Sequence, residues 1–595
     1  MTEFFIKCRL VLTVIFLVFI NNFAMRGISQ ENISNVSDVR SIHMGSMIPD
    51  ESYCDQPYIV VMKDGTWVCM LTTAPGGESS VGQHVVVTTS NDQGKTWTPL
   101  VDIESGKGPH ASWVVPFLTP YQRLYAFYVY NGDETSFGKG KNLDSEHGWY
   151  VYRYSDDSGK TWSDRYRVPI RETVCDRTIL NGKIAQMFWG VSKPQIADKD
   201  VFISFSKLGE HWQGMGEGWI VHSDNILNEK DPAKIHWELL PEGEYGIRHP
   251  DFGSVQEEHI LQPLNKTDGF ACVYRTSQGI PAISYSFDRC KNWSLPERMK
   301  YATGQGIHTP RACPMFWKCS NGNYLLWFHN NSSESYQNRN PAWICGGVER
   351  EGQIFWSQPE IVIYANSPTA RMSYPDLVEI DNQYWIIETD KEVGRIHKID
   401  TSLFEGLWQT VVNQLDANRT KVTEKGLVLQ TSERYIKFPK EAANLQWTQG
   451  ISLDFVVDGN ALKEGDILFD NRDEKSTGIT LVVEKAGAVR FTMSDKNDSN
   501  GKDKTTWLSD PGVVGKGLLP FTVIVDANPK IISFVANGQF CDGKGSRTFG
   551  WGRFGTIPTN LSGSETIQLS PSVKTLRIYN RYLRTNEAVN NHLAQ

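Results

Sequence analysis

The chain has 595 residues, in which 60 Lys and Arg face 68 Asp and Glu, giving a formal net charge of −8. This length exceeds what one ordinary hydrophobic core organises, so we expect two or more domains. The acidic balance and the lack of a long basic run argue against a nucleic-acid partner.

The N-terminus has the pattern of an export signal. Lys7 and Arg9 precede the apolar stretch 10–20, which polar and small residues follow at about 28–30. We therefore predict a signal peptide over residues 1–30, removed on export. The stretch is too short for a comfortable membrane span, and no other segment reaches the ~20 apolar residues that a transmembrane helix needs. We expect a secreted, periplasmic or cell-surface protein without stable membrane insertion.

Nine cysteines follow the predicted signal peptide, and none of them forms a C-x-x-C pair. An odd number of cysteines does not pair completely within one chain. We expect most of them to be buried as small hydrophobic residues, with one or two disulfides whose pairing the sequence does not assign.

A strand–turn–strand pattern recurs six times in the first two thirds of the chain. In each copy a polar or charged residue precedes an apolar strand, then a turn and a second apolar strand. The six copies are 56–73, 111–130, 191–206, 257–275, 311–329 and 373–389. Six copies of a four-stranded unit predict an all-β, six-bladed β-propeller over residues 45–400, because radial repetition leaves only short strand edges.

A second, shorter repeat accompanies the first. The octapeptide SNDQGKTW at 90–97 returns as SDDSGKTW at 155–162 and, in degenerate form, as SFDRCKNW at 286–293. Its aspartate is suited to accept backbone N–H bonds across a turn, its glycine allows a positive φ, and its tryptophan packs beneath. We interpret it as a structural turn with no role in catalysis.

The pattern changes after residue 400. Residues 400–417 have a helical pattern and lie in a predicted helical linker, 401–424. From about 425 to 595 a different set of antiparallel strands begins, at 451–459, 478–493, 519–540 and 573–593, and the last ends in a short helix. We predict an antiparallel β-sandwich of the jelly-roll kind there.

The propeller prediction brings distant residues to one opening. The first strand of each blade lines the axis, so the residues at its start converge on a common mouth. Those residues are Gln56, Ser112 or Trp113, Lys193, Glu258, Arg311 and Tyr374. Burying this set without a ligand requires every charge to be paired, so a pocket for a polar ligand is the simpler interpretation. Trp113, Trp189 and Trp212 are candidates for stacking on sugar rings.

Over residues 50 to 400 the chain resembles the sialidase superfamily, and its C-terminal part resembles the laminin-G or concanavalin-like domains that accompany secreted carbohydrate enzymes. The resemblance implies a tyrosine nucleophile activated by a glutamate, and arginines that hold the carboxylate of the substrate. Tyr374 in SYPDLVEI matches the tyrosine segment, and Glu258 matches the partner glutamate. Arg275 matches the second arginine and Arg339 the third, while Arg311 joins them by its repeat position.

The first repeat departs from the superfamily pattern. Where Phe-Arg-Ile-Pro is expected, the chain has CDQP at 54–57, so Asp55 stands in place of the first arginine. Where the acid/base aspartate is expected, the chain has Thr72 and Thr73. A bidentate arginine–carboxylate contact is strong and oriented, so its loss weakens the prediction of ordinary sialic acid hydrolysis.

Other residues are candidates for the proton transfers. His249 and Asp251 lie just upstream of Glu258, and His308 precedes Arg311 by three residues; His110 and His147 belong to neighbouring loops. A His, Tyr and Arg grouping suits proton abstraction beside a uronate carboxylate, where arginine neutralises the carboxylate.

Three hypotheses follow for the function. The first is an exo-acting glycoside hydrolase on an acidic, carboxylated or sulfated glycan, with no cofactor apart from a structural calcium ion that the sequence leaves open. The second is a lyase or dehydratase of uronate-containing oligosaccharides. The third is a glycan-binding propeller without catalysis. All three expect an anionic oligosaccharide or polysaccharide as the partner.

Overall fold

The computed structural model describes residues 38–134, 148–176, 179–180, 183–184, 186–209, 215–497 and 504–595. The predicted signal peptide, His147 and Trp212 lie outside the described residues. Val39–Gln595 forms one compact unit.

Six antiparallel sheets follow one another along the first two thirds of the chain. The strands of blade one are Tyr53–Val61, Trp67–Ala74, His84–Ser90 and Val101–Asp102. Those of blade two are Ala111–Leu118, Leu124–Tyr130, Trp149–Ser155 and Tyr166–Arg167. Those of blade three are Phe188–Trp189, Gln195–Ala197, Asp200–Gly209, Met215–Ser223 and Glu238–Leu240, preceded by a small hairpin of Ile179–Leu180 and Lys183–Ile184.

The second half of the ring repeats the arrangement. Blade four has the strands Gln256–Pro263, Phe270–Thr276, Pro281–Ser286 and Glu297–Arg298. Blade five has Phe316–Lys318, Tyr324–Phe328, Ala342–Arg350, Gln353–Trp356 and Glu360–Ile363. Blade six has Ser373–Ile380, Gln383–Thr389 and Gly394–Ile399, and its fourth strand is Ser46–Ile48 from before blade one. The chain thus closes the ring on itself, and the predicted six-bladed propeller is confirmed.

The first strand of four blades contains the same irregularity. The strand pairing shifts where two residues oppose one, after Asp55, Ser112, Glu257 and Ser373. The next residue has a positive φ in each case: 50° at Gln56, 57° at Trp113, 58° at Glu258 and 41° at Tyr374. These are β-bulges whose first residue is left-handed without being glycine, a conformation that costs about 1–3 kcal/mol each.

The octapeptide turns are built as their sequence predicts. The Asp92 carboxylate accepts hydrogen bonds from the backbone N–H of Lys95 and Thr96, at 3.0 and 2.9 Å. Gly94 has φ of +80°, and a Cβ there would lie 2.3 Å from Cδ1 of Ile396 in blade six. The turn therefore both ends a strand and sets the contact between neighbouring blades.

The C-terminal part is an antiparallel β-sandwich, as predicted. One sheet contains Leu427–Thr431, Gly450–Asp458, Leu518–Asp526, Ile531–Ala536, Gln539–Phe540, Gly552–Arg553 and Val573–Tyr579. The other contains Tyr435–Lys437, Ile467–Asp470, Gly478–Val483, Val489–Ser494, Thr505–Leu508 and Thr566–Leu569. Their inner faces form an apolar core of their own around Phe455 and Phe521, whose rings stack at 5.0 Å.

Three α-helices lie in the last third of the chain: Thr401–Leu415, Leu445–Thr448 and Thr585–Leu593. Short 3₁₀ turns are Ile42–Met44, Pro232–Lys234, Lys440–Ala442, Gly459–Ala461 and Lys485–Gly487. The first helix begins at Asp400, whose carboxylate accepts a hydrogen bond from the N–H of Ser402, and it packs closely on Gly346 of blade five. None of the helices in the described part of the chain is long and apolar enough to cross a membrane.

The sandwich packs on the loop of blade five that runs from 329 to 341. Trp551 Nε1 donates to the carbonyl of Asn330 at 2.9 Å, and Arg553 donates to the carbonyl of Asn340 at 2.6 Å. The Trp343 ring meets Phe540 edge-on at 5.4 Å. The sandwich is thereby fixed to the segment that carries Arg339.

The nine cysteines are all free and buried, so the expectation of one or two disulfides is wrong. Burial raises their thiol pKa, as the apolar surroundings of Cys272 and Cys345 illustrate. They serve as small core residues. Within the described ranges, no group of three or more His, Cys, Asp or Glu side chains is arranged to hold a metal ion.

Candidate active site

Tyr374 and Glu258, from blades six and four, meet at the start of the first strands. The phenol of Tyr374 donates a hydrogen bond of 2.6 Å to Oε1 of Glu258. The same oxygen lies 2.9 Å from Nη1 of Arg275, on the second strand of blade four. All three side chains are buried. Oε1 of Glu258 therefore contacts both the phenol of Tyr374 and the guanidinium of Arg275, although 116 residues separate Tyr374 from Glu258.

Glu257 extends this cluster to Arg311. Its Oε2 accepts from Nη2 and Nε of Arg275 at 2.6 and 3.1 Å, and its Oε1 lies 3.2 Å from Nη2 of Arg311. The bulge at Glu258 explains how two consecutive glutamates reach the same arginine, because it interrupts the alternation of side chains along the strand. The site thus holds a network of two buried carboxylates, the buried Arg275 and the partly buried Arg311.

Arg339 completes the set of predicted arginines. Its Nη1 donates to Oγ of Ser373 at 2.6 Å, and its Nη2 donates to the carbonyl of Arg311 at 3.0 Å. Ser373 in turn donates to the carbonyl of Arg371 at 2.9 Å. Arg275 of blade four and Arg339 of the loop in blade five are therefore held near Tyr374 by contacts that the protein itself supplies.

Asp55 is linked to Tyr374 by a cation that the sequence did not reveal. Oδ2 of Asp55 accepts from Nζ of Lys391 at 2.7 Å and from the phenol of Tyr53 at 2.8 Å. Nζ of Lys391 also lies 4.3 Å from the centre of the Tyr374 ring and 3.3 Å from Oε1 of Glu78. Lys391 therefore puts a positive charge beside Tyr374.

Burial dominates the ionisation of the central groups. It raises the pKa of Tyr374 well above its ordinary value, an effect that the Glu258 charge reinforces and the charges of Arg275 and Arg339 oppose. It also raises the pKa of Glu258, opposed chiefly by Arg275. The pKa of Asp55 is raised by burial and lowered again, in part, by Lys391. Carboxylates with raised pKa values beside a buried tyrosine are typical of catalytic sites.

Two buried oxygens in the cluster are unused. Oε2 of Glu258 and Oδ1 of Asp55 have no hydrogen-bond partner among the described residues. Leaving a buried polar atom unpaired costs about 1–3 kcal/mol, so such atoms call for a ligand or a reacting group. Glu258 contacts Tyr374 directly and Asp55 is linked to it through Lys391, so the unmet hydrogen-bonding capacity belongs to this cluster.

Four predicted residues occupy other positions. His249 stacks on Phe252 at 4.1 Å, and its Nδ1 accepts from the N–H of Asp251, in the exposed loop before blade four. His308 lies 3.7 Å from Asp542 of the sandwich. Lys193 binds Asp376 at 2.7 Å and the carbonyl of Ile59, inside the axial channel. Their contacts among the described residues do not include Tyr374 or Glu258.

Gln56 and Trp113 lie at the mouth but face protein. The Gln56 amide donates to the carbonyl of Gly190 at 3.2 Å. Trp113 stacks on Trp189 at 4.8 Å with an interplanar angle of 12°, so one face of its ring is covered. The guanidinium of Arg275 lies 5.3 Å from the centre of the Trp189 ring. This aromatic pair forms a wall of the site behind Arg275.

The sequence reasoning missed Glu257, Lys391, Arg371 and Tyr53. Glu257 directly precedes Glu258, which the sequence analysis had selected, and two adjacent acidic residues at the start of a strand could have identified it. Lys391 follows the second strand of blade six in the turn ETDKEVG, at a φ of 77°. No periodicity marks a residue on such a turn, so only the coordinates reveal its position.

No protein-family model and no curated protein sequence matches this chain. Among solved structures it is similar to Trypanosoma rangeli sialidase in complex with 2,3-difluorosialic acid, with 13% identity, TM-score 0.43 and coverage of 92% of this chain and 96% of that one. A Dyadobacter fermentans protein of unknown function has 14% identity and TM-score 0.43, over 60% of this chain and 97% of that one. NanB bound to Optactamide has 12% identity and TM-score 0.43, over 60% and 70%.

Proposed function

We propose that this protein is a secreted, exo-acting glycoside hydrolase that releases a terminal acidic sugar from a glycan. The observation that carries the proposal is the 2.6 Å hydrogen bond from Tyr374 to Glu258, inside a cluster that also contains Arg275, Arg311 and Arg339. A nucleophile and its base within hydrogen-bond distance, beside cations, is the arrangement that covalent glycoside hydrolysis needs.

Each residue has its own role in the proposed reaction. Tyr374 attacks the anomeric carbon while Glu258 accepts the phenol proton, and the bond to the leaving oxygen breaks as an acid protonates it. Water then attacks the same carbon and breaks the glycosyl–tyrosine bond: the acid, deprotonated in the first step, takes the proton of the water, and Glu258 returns its own proton to the Tyr374 oxygen. A neutral phenol suits this role because a carboxylate nucleophile would be repelled by the acidic sugar.

Electrostatics supports the same division of roles. Burial raises the pKa of Tyr374, so the phenolate does not form without an acceptor for its proton. The raised pKa of Glu258 makes it a stronger base towards that proton. Asp55 is our candidate for the acid, because it is a buried carboxyl group with a raised pKa that Lys391 links to the Tyr374 ring. His249 and Asp251 remain candidates only if their loop moves towards the site.

The test is product analysis by mass spectrometry, with sialylated, uronate-containing and sulfated oligosaccharides as substrates. Hydrolysis adds one water per released sugar, whereas elimination adds none and creates an unsaturated product. We expect water addition for wild type, and a loss of at least about 1,000-fold for Tyr374→Phe, since nucleophile and proton transfer fail together.

A matched control is Tyr150→Phe, which removes a buried hydroxyl from blade two that has no hydrogen-bond partner among the described residues. It should retain wild-type turnover. Unsaturated products would contradict the hydrolase proposal and support the lyase or dehydratase hypothesis. Binding without turnover of any substrate would favour the glycan-binding hypothesis.

A further inference from the structure

A cavity of about 290 Å³ lies where the propeller meets the sandwich. Gln305, from the loop before blade five, lines its propeller side, and Ala536, Gln539 and Phe540 are among the residues that line its sandwich side. Within the described part of the chain, its lining includes no member of the cluster around Tyr374. This junction cavity is therefore separate from the candidate active site.

Two glutamines of the propeller hold the strand that borders the junction cavity. The N–H of Phe540 donates to Oε1 of Gln358 at 2.8 Å, and the carbonyl of Phe540 accepts from Nε2 of Gln305 at 2.8 Å. The neighbouring Gln539 pairs with Ala536 in the sheet of the sandwich. The propeller and the sandwich are therefore both needed to form the cavity.

A buried carboxylate fixes the sandwich side of the junction cavity. Asp510 accepts hydrogen bonds from the N–H groups of Asp542 and Gly543, at 2.9 and 3.0 Å. It also accepts from Nη2 of Arg547 at 2.6 Å. The loop 541–547 is thus held in place by the protein itself, and a preformed site avoids the cost of ordering a loop when a ligand binds.

Side-chain amides with unused hydrogen-bonding capacity line the junction cavity. Oε1 of Gln305 is buried and has no hydrogen-bond partner among the described residues. The side-chain amides of Asn537 and Gln539 also line the cavity, and they make no hydrogen bond within the described ranges. An amide both donates and accepts in one plane. The hydroxyl groups of a sugar do the same, so they match these amides and supply the donor that Oε1 of Gln305 lacks.

The remaining lining is partly apolar and close to neutral in charge. Pro511 and Val513 provide apolar contacts, which suit the apolar face of a sugar ring. Its charged residues in the described part of the chain are Asp510 and Lys544, one of each sign. Asp510 is already paired with Arg547 at 2.6 Å. The lining therefore favours a neutral sugar over an acidic one.

The junction cavity and the candidate active site share one loop. Arg311 follows Gln305 by six residues, and a segment of that length spans at most about 22 Å when fully extended. Between them, Nε2 of His308 lies 3.7 Å from Oδ2 of Asp542 in the sandwich. Both ends of the loop are thus within the reach of one oligosaccharide of a few residues.

We propose that the junction cavity is a subsite for a neutral sugar residue on the leaving-group side of the substrate. Gln305, Asn537 and Gln539 hold the hydroxyl groups of this sugar, so the sandwich takes part in selecting the glycan. The inference rests on the proposed function for the direction in which the glycan runs from Tyr374 to the cavity.

The first experiment measures binding of neutral sugars to the full chain, by titration with saturation-transfer difference NMR. The probes are the methyl glycosides of galactose, glucose, mannose, xylose, rhamnose and N-acetylglucosamine. Gln539→Ala removes one amide, and Ala536→Tyr fills the cavity. Gln568→Ala is the matched control, because Gln568 is an exposed glutamine on another strand of the sandwich, outside the lining. Circular dichroism verifies that each variant is folded.

We expect at least one glycoside to bind the wild type. Gln539→Ala should weaken its binding by about 3- to 10-fold, the scale of one or two hydrogen bonds, and Ala536→Tyr by more than about 10-fold. Gln568→Ala should bind within about twofold of wild type. The inference is overturned if no glycoside binds, if either folded cavity variant keeps wild-type affinity, or if Gln568→Ala loses as much as Gln539→Ala. Should Ala536→Tyr not fold, Gln539→Ala alone decides.

Turnover separates this inference from the proposed function. For an oligosaccharide substrate, Ala536→Tyr should raise KM by about 10-fold with little change in kcat, whereas KM for an aryl glycoside of the released sugar should not change, since its leaving group has no sugar. If only the proposed function fails, the neutral glycosides still bind in a manner that depends on Gln539, and neither substrate is converted. If only this inference fails, both substrates are converted and their KM values are the same in wild type and variant.

Discussion

The first strands of the propeller blades have two ends, and the backbone and the side chains differ between these ends. At the starting end lie Asp55, Glu258 and Tyr374, in three blades, with bulges and left-handed residues beside them. At the other end the strands surround a cavity of about 430 Å³. Leu118 and Val378 are among the residues that line it. The same scaffold is regular at one end and distorted at the other.

Our proposal that the starting end is the functional one rests on this difference and not on any relative. Left-handed non-glycine residues, buried charges and unpaired polar atoms each cost free energy. A chain retains them together only where the remaining structure holds them in place, and such places are typically active sites. The far end has charged residues as well, but Lys318 and Glu379 hold loops there through Leu264, Ser320 and Tyr384.

The most sensitive test of the comparison replaces one glutamate at each end. Glu258→Gln should lower kcat by about 100- to 10,000-fold, because the base for Tyr374 is lost. In wild type, activity should fall at acidic pH as Glu258 takes up a proton, at a pH above the ordinary glutamate range since its pKa is raised by burial. The variant should lack this acidic decline in kcat/KM.

Glu379→Gln at the far end is the matched control, and its kcat should stay within about twofold of wild type. A comparable loss in both variants would mean that activity follows general stability and not the mouth. An unchanged acidic decline in Glu258→Gln would assign that titration to another group.

The second test concerns stability. Glu257 compensates both Arg275 and Arg311, so Glu257→Gln leaves one buried and one partly buried guanidinium group with one carboxylate fewer. Breaking a buried pair from one side costs about 3–5 kcal/mol, whereas Glu379→Gln should cost less than about 1 kcal/mol. Urea denaturation gives both values. Equal, small losses would contradict our view that the mouth is an interdependent charge network.

The propeller was predictable because it repeats. Six copies of one strand pattern fix the blade count, and the turn at 90–97 repeats with its aspartate and its positive-φ glycine. Closure of the ring by Ser46–Ile48 was not predicted, since a single short strand has no repeat to identify it.

The site was predictable where it follows the strand repeat and not where it follows a turn. Glu258, Arg311 and Tyr374 were found by repeat position. Strand alternation selects one of two adjacent residues, so Glu257 was missed: only a bulge turns both glutamates towards Arg275. Lys391 reaches the site from a turn, where its direction depends on three-dimensional packing that sequence patterns do not encode.

The comparison also applies to a buried carboxylate at the interface between blade five and the C-terminal part of the chain. Glu360 is buried in blade five and accepts from the backbone N–H of Thr585. Burial raises its pKa from 4.5 to about 7, against the opposing charge of Arg584. Between these two values the folded chain binds more protons than the unfolded chain, so the free energy of unfolding falls as pH rises.

The stabilising contribution of protonated Glu360 is fully present below about pH 4.5 and is lost as the pH rises through 7. For a pKa shift of this size it amounts to at most about 3 kcal/mol. Urea denaturation of wild type and Glu360→Gln at pH 5 and pH 8 isolates it. The difference between the two proteins should change by about 1–3 kcal/mol over this interval. A constant difference would show that Glu360 does not titrate there.

The smallest expected effect separates a channel residue from a substrate-binding residue. Lys193 was predicted at the mouth, but its Nζ binds Asp376 at 2.7 Å and the carbonyl of Ile59 at 3.1 Å, and it lines the cavity at the other end of the strands. Asp376 keeps the N–H groups of Ile59 and Leu377 as partners when the lysine is removed. Lys193→Met should therefore cost about 1–3 kcal/mol in stability, the range for losing one charged hydrogen-bond partner.

The KM of Lys193→Met for the acidic substrate should stay within about twofold of wild type, because the positive charge is already neutralised by Asp376 and lies away from Arg339. A tenfold rise in KM at unchanged stability would instead place Lys193 among the substrate ligands and extend the functional end of the strands into the channel.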